Sequence, residues 1–439
     1  MRSRILLVFL VLLLAGCGAN ATGNAGSSPK TTLHVWYSTD DPVERAWTPR
    51  LVTLFEASHP NIAVQLTAYD FEDINTKLQL ALSAGDPPDL AYVTPRGPGI
   101  PAYVKAGTLR NLASAARNDG WAKELRPGLL AQYNQPFTFF GATKGQIMAV
   151  PMAMAAVGVL YNTKLLHQLH RPVPGTLAEF KADLPPAKRA GMVPLGMGNG
   201  DGWLGDDWYQ TLVEALIPPS TLTAEQLLKP FDFGRPPFSQ AGSLMRAWSK
   251  AGYFTQNFGG LDAQEGIDQF FKGHTLFQLV SSSENSQIAV EERQTHLPIG
   301  IFGFPTAYGG SVSPMSGYEG WIVPKKSSHP AAAIAFINQV LQPSTAQALL
   351  DRGFIPAHRG SFRTGVAWQQ QYLDMVTNAH RGVYLDAAPI ANLNATMEAN
   401  VQLLLQGYEG PGFLVHALQE VYSSRGKQHG STARIDGEF

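Results

Sequence analysis

TTLHVWYSTDDPVERAWTPRLVTLFEASHPNIAVQLTAYDFEDINTKLQLALSAGDPPDLAYV, residues 31–93, carries the pattern that decides the fold. Its first eight residues put Leu33, Val35 and Tyr37 at alternate positions, the period-two signature of a strand with one buried face. From Pro42 to Ala57 the spacing changes. Val43, Trp47, Leu51, Leu54 and Phe55 recur at helical intervals. Residues 61–69, NIAVQLTAY, alternate again as a second strand. Asp73 to Ala84 returns to helical spacing with Ile74, Leu78, Leu80, Ala81 and Leu82. Gly85-Asp86-Pro87-Pro88 breaks that helix, because proline lacks the N–H and the backbone freedom a helix needs. Asp89 to Val93 is then a third, short strand. Strand and helix alternate, so the chain begins as an α/β unit with a largely parallel sheet, each helix returning the chain over the sheet face.

The pattern continues with less clarity. IMAVPM (147–152) and AVGVLYN (156–162) are strand-like, and a helix begins at Leu177–Phe180. Residues near 200–209 are expected to form an aromatic loop with Trp203, Trp208 and Tyr209. A helix is expected over Ala263–Phe271, a buried strand over His274–Val280 and a short strand over Gly320–Pro324. Helices are expected over His329–Leu341, Ala387–Gln406 and Phe413–Tyr422. No tandem repeat is visible.

The N-terminus reads differently. Arg2 and Arg4 precede an apolar run, Ile5–Leu14, and then Ala15 and Gly16. A basic start, a short apolar run and small residues form a secretory signal peptide. The run is shorter than the roughly 20 residues that span a bilayer. Leu14-Ala15-Gly16-Cys17 is similar to the bacterial lipobox, a signal in which the chain is cut before a cysteine whose sulfur receives a diacylglyceryl group. Cys17 is the only cysteine in the 439 residues, so no disulfide framework and no thiolate metal site is expected. Gly18–Lys30, rich in Gly, Ala, Asn, Ser and Thr, suits a flexible tether. The full chain has a formal net charge of −1, and loss of Arg2 and Arg4 lowers it by two. That balance does not fit nucleic-acid binding, which calls for a concentrated basic surface. A hydrophobic content of 44% over this length permits one large core or two lobes of ordinary domain size.

Segment by segment, the chain resembles the extracellular solute-binding proteins of ABC importers, in particular the carbohydrate-binding group. LHVWYS matches the first strand, and LSAGDPPDLAYV the small-Gly-x-x-Pro-Asp turn into the third. VPMAMAAVGVLYNTKLL is similar to the Pro…Tyr-Asn-Lys hinge segment. GYEGWIVPKKSSHPAAAIAFINQVL resembles the Gly-rich strand with its covering helix, and GFIPAHRGSF the final crossing between lobes. The resemblance implies an α/β fold of the two-lobed periplasmic-binding-protein type, with a ligand cleft between discontinuous lobes. Crossings are expected near Gly145–Pro151, Gly300–Pro305 and Phe354–His358. The expected organisation is a signal peptide (1–16), a lipid-anchored tether (17–30), lobe 1 (31–147 and 303–355) and lobe 2 (148–302 and 356–439). The implied protein is a monomer anchored through lipid on Cys17 at the outer face of the bacterial cytoplasmic membrane. It would deliver a carbohydrate to an ABC permease without a cofactor or metal.

A sugar presents apolar C–H faces and a rim of hydroxyls, so its site needs aromatic platforms and converging hydrogen-bonding groups. Ligands of parallel sheets lie outside the carboxyl ends of the strands. The residues at those positions are Tyr37, Ser38 and Asp40 after the first strand, Tyr69 and Asp70 after the second, and Thr94 and Arg96 after the third. Ser282, in the serine run after LFQLV, and Tyr318, Glu319 and Trp321, beside the Gly-rich strand, complete the set. The serine run departs from the aromatic and glycine residues often found there in the group. GDGWLGDDWY (200–209) adds Trp203 and Trp208. Gly200-x-Gly202-x-x-Gly205 formally matches a dinucleotide fingerprint, but that motif must join a strand to a helix, and Asp206-Asp207 would repel a pyrophosphate. Neither a His-Glu-x-x-His, a Gly-x-Ser-x-Gly nor a phosphate-binding loop is present. The adjacent pairs Asp40/Asp41 and Asp206/Asp207 tend to point apart and do not form the facing carboxylates of a glycosidase. A secreted glycosidase or lyase, and a surface sensor on the same fold, stand as the alternatives.

Overall fold

The computed structural model describes residues 30–38, 42–93, 99–134, 137, 141–218, 231–312, 315–378, 385 and 392–430. Strand β1 (Thr31–Ser38) pairs in parallel with β2 (Ile62–Tyr69) and with β3 (Leu90–Val93), and helices Pro42–Ser58 and Phe71–Ala84 make the crossovers. The alternation on β1 sends Leu33, Val35 and Tyr37 into the core and leaves His34 exposed. The second helix stops at Gly85, whose N–H bonds the carbonyl of Ala81 at 3.0 Å with φ at 82°. A Cβ there would meet the Lys326 ammonium at 2.5 Å, so the left-handed turn requires glycine.

The Pro-Asp that follows has a structural task. The Asp89 carboxylate accepts hydrogen bonds from the N–H of His34 at 3.1 Å, the N–H of His329 at 2.8 Å and the hydroxyl of Ser327 at 2.9 Å. The Nδ1 of His329 lies 3.1 Å from its other oxygen. Burial alone would raise this carboxyl. The bonds from His34, His329 and Ser327 outweigh burial and hold it below the usual carboxylate range. One side chain thereby ties β1, the start of β3 and the loop before the helix Pro330–Val340.

Seven further strands follow: β4 (Val150–Asn162), β5 (Val193–Gly196), β6 (Thr275–Ser281), β7 (Ile299–Phe302), β8 (Phe304–Pro305), β9 (Ser311–Val312) and β10 (Met315–Ile322). The sheet runs β2-β1-β3-β10-β4-β6-β5, with β7 also on β4 and β8-β9 as a separate pair. The 13-residue β4 serves both lobes. Its first half, to Ala156, pairs antiparallel with β10, and its second half, from Val157, pairs antiparallel with β6 and β7. The two segments expected separately at 147–152 and 156–162 are thus one strand. The lobe crossing falls at Ala156–Val157, later than the expected Gly145–Pro151.

Two cores follow from this division. The first gathers Trp47, Phe55, Tyr92, Trp321 and Phe336, and β4 contributes Val150, Met152, Ala153, Met154 and Ala156 to it and, beyond the crossing, Leu160. It continues through the crossing onto the back of the second sheet, where Ile301 and Met375 close over Gly158. The second core gathers Val157, Phe180, Trp208, Trp248, Phe277 and Phe304. Phe304 and Val312 both lie in it, so the chain returns to the first lobe between β9 and β10 rather than at residue 303. The helix Ala367–Asn378 lies against β7. Residues 355–357 run beside the first half of β4. There the N–H of Met154 bonds the carbonyl of Ile355 and that of Ala357 bonds the carbonyl of Met152, each at 2.9 Å. Of residues 200–209, read as a loop, those from Trp203 onward open a helix, Trp203–Leu216, in which Leu204 through Ala215 are buried.

Candidate functional site

Strand direction locates the cleft. β10 pairs with Ala156 at its start and with Val93 at Gly320, and it runs antiparallel to β3. The carboxyl ends of β1, β2 and β3 therefore point toward the crossing at Ala156–Val157. On the other side, Val157 pairs with Ser281 at the carboxyl end of β6, and β5 is parallel to β6. Their carboxyl ends point back at the first lobe. Two sets of strand termini thus face one another across the middle of β4, the position at which α/β sheets take ligands.

On the first lobe's rim, Tyr69 ends β2 half-buried, its ring edge-on to Trp36 with centroids 4.9 Å apart. The Lys77 ammonium sits 5.6 Å from the ring centroid and bonds Asp73 at 3.1 Å. Asp70 precedes the helix Phe71–Ala84, is exposed and makes no side-chain cap bond. Its carboxylate is thus not spent on the helix N-terminus.

On the second rim, the loop from Met197 to Gly202 is pinned from below. The N–H of Gly200 bonds the carbonyl of Leu261 at 2.6 Å, Asn199 Oδ1 accepts the N–H of Gly205 at 2.6 Å, and Gln402 donates to the carbonyl of Asn199 at 3.1 Å. Trp203 opens the following helix half-buried, and its indole N–H donates to the Asp201 carboxylate. Desolvation raises the Asp201 carboxyl above the usual range. The bonds from the Ala263 N–H and the Trp203 indole pull the other way, and Asp262 adds to the rise. The Gly200-x-Gly202-x-x-Gly205 run does join a strand to a helix, contrary to the sequence reading. Its N–H groups are already bonded to Leu261, Asn199 and the Asn199 side chain, so they cannot cradle a pyrophosphate.

The remaining expected residues separate. Trp208 has 0% exposure, ringed by Phe180, Trp248, Phe254 and Phe304 at centroid distances of 5.9–6.4 Å. Trp321 is 2% exposed between Tyr92 at 5.1 Å and Phe336 at 5.4 Å. Tyr37 belongs to the same alternating set as Leu33 and Val35, so the pleat turns its ring inward, at 7% exposure. These three are core residues rather than cleft platforms. Ser282 is also buried: its hydroxyl accepts from the Ala156 N–H at 3.1 Å and donates to the Met154 carbonyl at 2.8 Å. Ser38, Tyr318 and Glu319 have their backbones in β1 and β10, and their side chains lie outside the described set. Asp40, Thr94, Arg96 and Cys17 lie outside the described residues. The sequence reading missed Asp201. Its signal was its position two residues before Trp203, at the tip of the same glycine-rich loop. Among the described residues no group of three or more His, Cys, Asp or Glu could hold a metal ion.

Residues 39–347 match the bacterial extracellular solute-binding proteins. The chain belongs to that family. A probable sugar-binding periplasmic protein of Mesorhizobium japonicum is 23% identical over 356 residues, covering 79% of this chain and 77% of that protein. The melibiose/raffinose/stachyose-binding protein MelE of Bacillus subtilis is 20% identical over 376 residues, covering 84% of this chain and 83% of its own. Among solved structures, a chitin oligosaccharide binding protein superposes with a TM-score of 0.77 at 22% identity, covering 90% of this chain and 99% of that one. At that identity the likeness concerns the fold. As a solute-binding protein the chain has two α/β lobes.

Proposed function

We propose that this solute-binding protein captures a carbohydrate in the cleft by lobe closure and hands it to an ABC permease, with no bond made or broken. The observation that carries this reading is the set of strand carboxyl ends facing one another across the middle of β4, with Trp203 and its bonded Asp201 after one set and Tyr69 and the exposed Asp70 after the other. A ring covers the C–H face of a sugar while a carboxylate accepts from its hydroxyls. The names of the two relatives support the same ligand class. Asp40, Thr94, Arg96, Ser38, Tyr318 and Glu319 are proposed as further ligand contacts, since each follows or flanks a strand end facing the cleft.

The test is a thermal-shift screen over melibiose, raffinose, stachyose and chitin oligosaccharides, with peptides and polyamines as competitors. Ligand at about 100 times its dissociation constant adds roughly 2.7 kcal/mol to stability. A lobe of this size gains about 2–4 °C per kcal/mol, so a bound sugar raises the melting temperature by about 5–10 °C. A shift with peptides or polyamines and none with any carbohydrate would overturn the ligand class. Release of reducing ends from any of these glycans would overturn the non-enzymatic reading.

The proposed setting is export under the leader 1–16, with the monomer held at the outer face of the cytoplasmic membrane by lipid on Cys17. The lipobox-like LAGC and the Gly/Ser/Asn-rich tether support it. Stable anchoring takes more than one acyl chain, as a diacylglyceryl group provides. Cys17→Ser should move the protein from the membrane fraction to the soluble fraction. An unmodified Cys17 thiol, seen by mass spectrometry in the native host, would refute the anchor and leave ligand capture standing.

A further inference from the structure

Ser281-Ser282-Ser283-Glu284-Asn285 is the serine run that departs from the family pattern, and the structure puts it at the point where the lobes join. Ser282 is hydrogen-bonded on both sides to β4: it accepts from the Ala156 N–H at 3.1 Å and donates to the Met154 carbonyl at 2.8 Å. Tyr372, fully buried on the helix Ala367–Asn378, donates its hydroxyl to the Ala156 carbonyl and lies beside the Ser282 hydroxyl. Glu284 closes the turn by accepting the Ser281 N–H at 2.6 Å. Burial, with the Glu284 and Asp207 carboxylates nearby, raises the Tyr372 phenol far above its usual range, so it stays a donor at every physiological pH. Asn285, equally buried, donates to the Gly353 carbonyl at 2.7 Å. Gly353, at φ 102°, begins the second connection, and a Cβ there would lie 3.0 Å from that of Asn285. The helix that starts at Asn285 also touches the first lobe's helix Pro42–Ser58.

We infer that Ser282, Tyr372 and Asn285 form a clasp that fixes β4 residues 154–156 and Gly353 to the second lobe, so that lobe motion bends the chain on the first-lobe side of Met154. A second observation marks the same place. The β4–β10 register slips twice: between Met315/Ala156 and Gly317/Ala155, within the clasped stretch, and between Glu319/Ala153 and Gly320/Pro151, where Met152 has no partner on β10 although its carbonyl accepts from the Ala357 N–H. A bulge of this kind loosens the ladder and increases local twist. The clasped residues 154–156 then move with the second lobe and carry the paired start of β10, Met315–Tyr318, with them, and the flexing point is Pro151–Ala153. The clasp sets how freely the lobes exchange between open and closed arrangements, and through that population the apparent affinity for any ligand.

The inference is tested on the ligand-free full chain carrying Cys17→Ser, so it stands or falls apart from the choice of sugar. Amide exchange read by NMR should be about tenfold faster at Ala156 in Ser282→Ala, the ratio that one net hydrogen bond corresponds to. Amides of β1 and β5 should keep their rates. Tyr372→Phe keeps the ring and loses only the hydroxyl, so it carries the test if Ser282→Ala folds poorly. Ser282→Thr, which retains the hydroxyl, should restore the protection. Fluorescence transfer between dyes on cysteines placed at Lys123 and Lys250 should show a shifted or broadened interlobe distance in Tyr372→Phe. An unchanged distance distribution in Tyr372→Phe, or exchange accelerated equally in both lobes, would overturn the clasp.

Discussion

Trp321→Ala separates a core residue from a ligand platform at one position. The indole is 2% exposed and packs between Tyr92 and Phe336, which places it inside the first lobe. A buried Trp removes about 150–250 Å² from water, which at about 25 cal/mol per Å² is roughly 4–6 kcal/mol. The two ring contacts, one tilted on Tyr92 and one edge-on to Phe336, add about 0.5–1.5 kcal/mol each. One feature works the other way. The indole N–H has no hydrogen-bond partner among the described residues, and removing a buried unpaired donor recovers about 1–3 kcal/mol. The net loss is about 4–6 kcal/mol, at the upper end of the roughly 3–5 kcal/mol found for large aromatic truncations in cores.

At about 2–4 °C per kcal/mol the substitution lowers the melting temperature by roughly 10 °C. Urea unfolding monitored by circular dichroism gives the free energy directly, and the midpoint should fall with an unchanged slope. Trp321→Phe, which keeps much of the ring and drops the unpaired N–H, should lose less than half as much. Titration at 10 °C, where the variant stays folded, should return the wild-type affinity for whichever sugar the screen identifies. Loss of binding in a variant of wild-type stability would refute the core assignment and put Trp321 back in the cleft.

Trp203→Ala is expected to behave in the opposite way: a sugar affinity weaker by about ten- to a hundredfold, from the loss of one aromatic platform and its bonded carboxylate, with a melting temperature shifted by less than about 3 °C. Calorimetric titration and a thermal melt on the same sample decide it, and unchanged affinity would remove Trp203 from the site. Asp89→Asn should destabilise the first lobe by about 1–3 kcal/mol at pH 7. The Asp89 carboxyl is lowered on folding, so its contribution is complete above its ordinary value near pH 4 and is lost as pH falls through the lowered folded value. The stability difference between wild type and Asp89→Asn should therefore narrow below about pH 4, and a gap that stayed constant to pH 2.5 would show that the carboxylate is not the source.

How much was legible follows from what each residue's neighbours are. The first three strands and two helices of residues 31–93 were readable because each buried face is a local period, and Gly85 and the two prolines mark the break. The crossing inside β4 was not. A strand that leaves one sheet and enters another keeps its alternation throughout, so Ala156 and Val157 look alike in sequence although they face different cores. The helix Trp203–Leu216 was misread as a loop for a related reason. Its polar residues Asp206, Asp207, Gln210 and Glu214 do recur at helical spacing, but they are buried along with Trp208 and Leu212, so the stripe marks no solvent face. Its carboxylates Asp206 and Asp207 looked like surface residues, and both are buried.

The aromatic residues show where the limit lies. Position after a strand is enough to nominate a cleft residue, but the pleat assigns faces by parity. Tyr37 shares parity with Leu33 and Val35, so its inward direction was available from the sequence alone. Trp208 and Trp321 needed the partners from distant segments, Phe304 and Trp248 for one, Phe336 for the other, before their rings could be placed. Trp203 differs from Trp208 by five residues on one helix, and its place in the first turn, beside Asp201 at the strand's carboxyl end, keeps it at the rim. On the proposed reading of the cleft, what separates ligand platform from core is therefore the level of the residue along its element, measured from the crossing at Ala156–Val157. The same measure turns Ser282 from a presumed ligand contact into a structural one: it sits at the level of the crossing itself, where backbone N–H and C=O groups of β4 claim both sides of its hydroxyl before any solute can.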